Sequence, residues 1–170
     1  AGADCREADY EAELAVVIGS TATGVVDNPL EHIFGYTCCN DFSARDAQFG
    51  DGQWVRGKSF DTFCPLGPWI VSPDEFGDPQ DHTIGIDVTD PAGATARLQD
   101  GNTSDMIFGV AEIITYIARF MTLEPGDVIA TGTPNGVGFA RKPPRYIGDG
   151  DVMTVWIDGI GELTNPCVVD

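Results

Sequence analysis

Polar and apolar residues alternate with a period of two through YEAELAVVIG, Tyr10 to Gly19. Successive side chains of a β-strand project to opposite faces, so Tyr10, Leu14, Val16 and Ile18 share one side and Glu11, Glu13, Ala15 and Val17 the other. Further strands are predicted for GYTCCND (35–41), with Asp41 at its end, and for PLGPWIVS (65–72), which is entered through a proline-fixed bend. HTIGIDVTD (82–90) and ATARLQDG (94–101) read as a hairpin across DPAG, and DVMTVWIDG (151–159) and GELTNPCVV (161–169) as another across Gly159 to Gly161. A helical period appears from Val110 to Met121, where Val110, Ile113, Ile114, Ile117 and Met121 follow one apolar stripe. The Pro125-Gly126-Asp127 turn ends that helix and launches the strand DVIATGT (127–133). Pro29 suits the first turn of a short helix through Phe34, and Ser43 to Asp46 has the S-x-x-[DE] form of a helix start. No repeat, linker or low-complexity tract interrupts the pattern.

The acidic side of the first strand carries the candidate chemistry. Glu11 and Glu13 point the same way, and a face that turns apolar at Ala15 and Val17 is expected to be covered. Carboxylates held under cover call for a cation. Asp41 is a turn former in its own right, but with the two glutamates it would complete a three-carboxylate set for Mg²⁺, Mn²⁺ or Ca²⁺.

Composition bounds the rest. A chain of 170 residues, 42% hydrophobic, is expected to form one domain, and Gly 21 with Pro 11 favours short elements and a β-rich fold. Asp+Glu 27 against Lys+Arg 9 gives a formal charge of -18, which repels phosphate backbones and anionic headgroups and argues against nucleic acid and membrane surfaces as partners. The same bias raises adaptation to high salt as a hypothesis, which a melting temperature indifferent to KCl would remove. Cys5, Cys38, Cys39, Cys64 and Cys167 form no C-x-x-C pair and read as reduced, mostly buried thiols of a cytoplasmic protein. His32 and His82 lack zinc spacing, and His32 is expected to be structural. There is no signal-like or membrane-spanning apolar run. The opening at Ala1, without Met, suggests a processed or fragmentary chain.

GQWVRGKS, Gly52 to Ser59, fits the P-loop pattern letter for letter. No hydrophobic strand precedes it, Pro65 and Pro68 follow where a helix should continue, and Trp54 and Val55 crowd the loop, so nucleotide binding is rejected. Lys58, flanked by Gly57 and Ser59, keeps the freedom to reach into a site, and Lys142 is the only other lysine. Gly132 to Phe139, GTPNGVGF, reads as a tight loop after a strand, suited to substrate contacts.

YEAELAVVIG, GYTCCNDFSARDAQ, QWVRGKSFDTFCPLGPWIV, QDGNTSDMIFGV and FMTLEPGDVIATGTPNGVGFARKPPRYIGDGD occur in an order that resembles the fumarylacetoacetate hydrolase family over nearly the whole chain. The likeness is greatest to the branch of acylpyruvate hydrolases, oxaloacetate decarboxylases and hydroxyhepta-diene-dioate isomerases of aromatic catabolism. The resemblance implies that Glu11, Glu13 and Asp41 ligate the metal, that Arg45, Gln48 and Lys58 line the oxyanion side of the pocket, and that Thr133 contacts substrate. It implies an α+β, mainly β fold, a mixed β-roll or distorted barrel with flanking helices, as a homodimer. It also implies a general-base histidine in a lid-forming segment upstream of the E-x-E strand, which neither His32 nor His82 matches. The expectation is therefore a single catalytic domain over residues 1–170 without that lid.

The chemistry expected on that resemblance is hydrolysis of a C–C bond in a 1,3-diketo or 2-oxo acid through an enolate, with Lys58, Arg45 and Gln48 stabilising the developing charge. Arg45, Arg56 and Lys58 would offset the acidic surface for an anionic substrate. Decarboxylation and isomerisation pass through the same enolate and stand as alternatives, as does an inactive metal-binding domain.

Overall fold

The computed structural model describes residues 5–169. Its strands and helices are β1 (Ala8–Asp9), β2 (Ala12–Ile18), β3 (Ile33–Asn40), β4 (Ser43–Ala44), α1 (Arg45–Asp51), α2 (Trp54–Lys58), β5 (Leu66–Val71), α3 (Pro73–Phe76), β6 (Thr83–Thr89), β7 (Thr95–Asn102), α4 (Val110–Ala118), β8 (Val128–Ala130), β9 (Val152–Ile157) and β10 (Gly161–Pro166). Two four-stranded sheets, in the orders β5-β3-β2-β8 and β10-β9-β6-β7, share one core, and β1 and β4 form a separate two-stranded pair. Every pairing among the described residues is antiparallel and the strands do not close, so the mainly β fold is an open roll and not a barrel. Among the described residues no helix is long and apolar enough to cross a membrane.

Leu14, Val16 and Ile18 of β2 and Tyr36 and Cys38 of β3 join Ile84, Ile86 and Val88 of β6 and Met153, Val155 and Ile157 of β9 in one buried cluster. Glu13, Ala15 and Val17 on the opposite side of β2 are buried too, so the cover expected from the apolar turn of that face is present. The two hairpins form as read: Asp90 closes the first by accepting from the amides of Ala92 and Ala94 on Oδ1, and β9 and β10 pair from Val152↔Pro166 to Ile157↔Gly161.

Four boundaries differ from expectation. The turn after Pro29 is a 3₁₀ helix ending at His32, because Ile33 already takes the extended conformation of β3. Ser43 does not cap a helix: its hydroxyl donates to the Asp41 carbonyl, Ser43 and Ala44 pair with β1, and α1 begins at Arg45 without a side-chain cap. The stripe of α4 buries Val110, Ile114 and Ala118, but the α-helix stops at Ala118 and Met121 is 61% exposed. Strand pairing of 127–133 ends at Ala130, where hydroxyls take over: Thr131 Oγ1 donates to the Leu14 carbonyl (2.8 Å) and Thr133 Oγ1 to that of Ala12 (2.9 Å). The P-loop-like residues Trp54–Lys58 are helical and form no phosphate-cradling loop.

Candidate metal and substrate site

β2 carries Glu13 as its second residue, and Glu11 lies one residue before its start. Glu11 is kept in line by β3 and its exit: its N–H donates to Asn40 Oδ1 (3.0 Å), and its carbonyl accepts from the Asp41 amide (2.9 Å). Because β3 ends at Asn40, Asp41 leaves the sheet directly beside the glutamates. Glu11, Glu13 and Asp41 each offer a carboxylate oxygen, and these oxygens lie within 4.8 Å of one another.

Each acid has a different environment. Glu13 is 3% exposed and accepts the Gly132 N–H on Oε2 at 2.8 Å. Burial pushes its carboxyl up to about 8; the Gly132 amide opposes this, while Asp41 and Glu11 add to it. Glu11 is divided between two cations, Oε1 accepting from Arg45 Nη2 at 2.6 Å and Oε2 from Lys58 Nζ at 2.8 Å. Lys58 also donates to Asp41 Oδ2. Burial disfavours the Lys58 charge, but its hydrogen bonds to Asp41 and Glu11 outweigh this and raise its pKa overall.

Arg45 and Gln48 lie deeper than their expected place on the oxyanion side of the pocket. Both are buried, and the guanidinium donates through Nε to Asp9 Oδ2 (2.9 Å), through Nη1 to Gln48 Oε1 (2.9 Å) and through Nη2 to Glu11. It also lies over the Phe139 ring, 4.5 Å from the centroid. Asp9, fully buried, accepts the Tyr10 and Gly138 amides on Oδ1 and the Phe139 amide with Arg45 Nε on Oδ2. This carboxylate ties the 132–139 loop to the guanidinium that holds Glu11. The loop can come this close only with glycine at 138, where a Cβ would meet the Arg145 carbonyl oxygen at 2.0 Å and Asp9 Oδ1 at 2.6 Å.

Thr133 anchors the other end of the loop. Its hydroxyl donates to Ala12 and accepts from Gln99 Nε2 at 2.8 Å, while Gln99 Oε1 accepts the Ala12 amide at 2.9 Å. Thr133 and Gly132 line a cavity of about 900 Å³ whose far wall includes Asn102, Met106 and Phe108; the three carboxylates are outside its lining. His32 pairs with the Ser20 hydroxyl and His82 stacks on Phe76 at 3.7 Å, neither of them on the cluster.

Asp9, Asn40 and Gln99 were not singled out from sequence. For Asp9 the signal existed, since the period of two that aligns Glu11 with Glu13 extends back one step to a D-x-E-x-E pattern. Asn40 and Gln99 act through contacts 29 and 87 residues away and leave no local mark.

The family model described as fumarylacetoacetate (FAA) hydrolase, C-terminal, matches residues 1–168. The chain is 48% identical over 156 residues to a 2,4-didehydro-3-deoxy-L-rhamnonate hydrolase of Sphingomonas sp. (strain SKA58), covering 90% of this chain and 53% of that protein. It is 44% identical over 168 residues to a mitochondrial oxaloacetate tautomerase of Xenopus laevis, covering 97% and 51%. The solved structure of a fumarylacetoacetate hydrolase from psychrophilic Exiguobacterium antarcticum superposes with a TM-score of 0.90 at 49% identity, over 97% of this chain and 58% of that one. A 2-hydroxyhepta-2,4-diene-1,7-dioate isomerase from Mycobacterium marinum gives 0.86 at 45%, over 99% and 62%. The chain spans about half the length of the curated relatives it matches, 53% and 51% of these two.

Proposed function

The chain belongs to the fumarylacetoacetate hydrolase family, and we propose that it hydrolyses a C–C bond in a small anionic 1,3-diketo or 2-oxo acid, of acylpyruvate or fumarylacetoacetate type, with a divalent cation held by Glu11, Glu13 and Asp41. The observation that carries this reading is the convergence of three carboxylate oxygens within 4.8 Å, one of them on a glutamate so buried that its carboxyl is pushed up to about 8. An all-oxygen donor set of this charge suits Mg²⁺, with Mn²⁺ or Ca²⁺ as substitutes. When bound, the cation supplies Lewis-acid polarisation of the substrate carbonyl.

The chain's own residues supply the rest. Arg45 and Lys58 grip both oxygens of Glu11, which holds that carboxylate in one orientation. Lys58, with a raised pKa, keeps its proton at neutral pH and places a fixed positive charge where an enolate oxygen would develop negative charge. Arg45, being buried, contributes by orienting Glu11 and by raising the local potential against an acidic surface, and Gln48 holds the guanidinium in place by accepting from Nη1. Thr133, on the cavity wall beside Gly132, is the proposed substrate contact.

An isomerase or tautomerase reading is favoured by a separate observation: relatives at 44% and 45% identity are named as an oxaloacetate tautomerase and a dienedioate isomerase. Both these reactions and decarboxylation share the enolate, so the same residues would serve. The homodimer is supported by the exposed Leu66, Trp69 and Ile70 of β5, an apolar edge that sedimentation velocity tests as an interface.

Calorimetric titration with Mg²⁺ and product analysis on an acylpyruvate, oxaloacetate and a dienedioate test the proposal together. Glu13→Ala should lose Mg²⁺ binding and turnover while keeping its circular dichroism. Full turnover in that variant would exclude the assignment, and enol–keto conversion without cleavage would select the isomerase reading.

A further inference from the structure

Two thiols unused by the proposed chemistry meet at the edge of the carboxylate cluster. Cys39, in β3, is fully buried and is the cross-strand partner of Glu13. Cys64, in the turn that enters β5, is exposed, and its Sγ lies 3.6 Å from Cys39 Sγ. Bonding length is about 2.05 Å, so an approach of roughly 1.5 Å would join them. The turn is bent into this contact: Thr62 and Cys64 have φ of 70° and 58°, in the left-handed region that side-chain-bearing residues rarely occupy. The stretch closed by the two sulfurs, 39–64, contains Asp41, Arg45, Gln48 and Lys58.

We propose that Cys39 and Cys64 form an oxidation site for hydrogen peroxide, a reversible thiol–disulfide couple that locks the Lys58 segment onto the carboxylates. The exposed Cys64 sulfur attacks the O–O bond and becomes a sulfenic acid, and the displaced hydroxide leaves as water with the thiol proton. The Cys39 sulfur then displaces the hydroxyl group from Cys64, forming the S–S bond and a second water. Two thiols lose two electrons and two protons, and the peroxide is reduced to two waters.

The consequence for the site rests on the metal reading above. Lys58 occupies Glu11 and Asp41, two of the three carboxylates assigned to the cation. A cation must compete with Lys58 for Glu11 Oε2 and Asp41 Oδ2, and a disulfide at Cys64 restrains the segment on which Lys58 rides. Oxidation therefore lowers cation affinity.

The test treats the whole chain with equimolar hydrogen peroxide, alkylates the remaining thiols under denaturing conditions and maps the peptides by mass spectrometry. The expected product is a Cys39–Cys64 cross-link with loss of two hydrogens, reversed by dithiothreitol and absent in Cys64→Ser. Mg²⁺ affinity of the oxidised protein, measured by calorimetry, should fall roughly tenfold and recover on reduction. If both thiols remain alkylatable in the wild type, or Cys64 couples to another cysteine, the oxidation site is wrong. A correct cross-link with unchanged Mg²⁺ affinity overturns the lock. Absence of Mg²⁺ binding in the reduced protein overturns the metal site instead, and the cross-link still decides the oxidation site.

Discussion

Gly132 donates its backbone N–H to Glu13 Oε2 at 2.8 Å, so a buried acid of the site is aimed by a loop, GTPNGVGF, that carries no charge of its own. The donor depends on a backbone with φ of 102°, open to glycine and strained for other residues. In Gly132→Ala there is room for the methyl group, since nothing lies within 4 Å of its position. The cost is conformational. A stability loss of about 1 kcal/mol should come with weaker Mg²⁺ binding, as the misdirected amide leaves Glu13 harder to ionise. Denaturant melts and calorimetry on the same sample check both effects, and unchanged binding would remove the amide from the site.

The buried carboxyl of Glu13 makes stability depend on pH in a defined direction. With its pKa at about 8 in the cation-free fold against 4.5 for the ordinary value, the folded state keeps a proton that the unfolded chain has already released. Its contribution is complete below about pH 4.5 and is lost as pH rises through 8. Cation-free stability should thus decline across this window by up to about 1.4 kcal/mol per pH unit from this group. Glu13→Gln should flatten that component of the profile. Mg²⁺ binding near pH 7 should release a proton, visible as a dependence of the heat on buffer ionisation enthalpy.

Asp9 joins Arg45 to the 132–139 loop and is itself wholly out of water. Asp9→Ala leaves a buried guanidinium short of a partner and two loop amides without acceptors, a loss of roughly 3–5 kcal/mol. Combining it with Arg45→Met should cost less than the sum of the single changes, because the second change removes the charge that the first strands. Chemical denaturation of the four proteins measures the coupling; strict additivity would mean that the pair does not act as a unit.

Lys58 competes with a cation for Glu11 and Asp41 while facing the proposed reacting oxygen. Lys58→Ala should therefore bind Mg²⁺ at least as tightly as the wild type yet lose about 100-fold or more in kcat. Binding and turnover moving in opposite directions separates this role from a merely structural one. Parallel losses in both would show that the ammonium only supports the fold.

The strand around Glu13, both hairpins and the apolar stripe of α4 were legible because each is written in a local period, two for strands and 3.6 for the helix, and local geometry turns that period into a face. The pairing of Glu11 with Glu13 belongs to the same class, and so does the cover over Ala15 and Val17. The residues themselves offered Asp41 as a third carboxylate and Lys58 as a cation free to reach a site, and the resemblance assigned both to one pocket without saying how they meet. Their meeting, the retreat of Arg45 and Gln48 behind Glu11, and the use of Asp9 and Gly132 were decided by tertiary structure. Lys58 reaches Glu11 across 47 residues, Asp9 reaches Gly138 across 129 and Gly132 reaches Glu13 across 119. Contacts of that separation follow from sheet order and register, and those are set by how the whole chain buries its apolar faces, which no short stretch of sequence encodes.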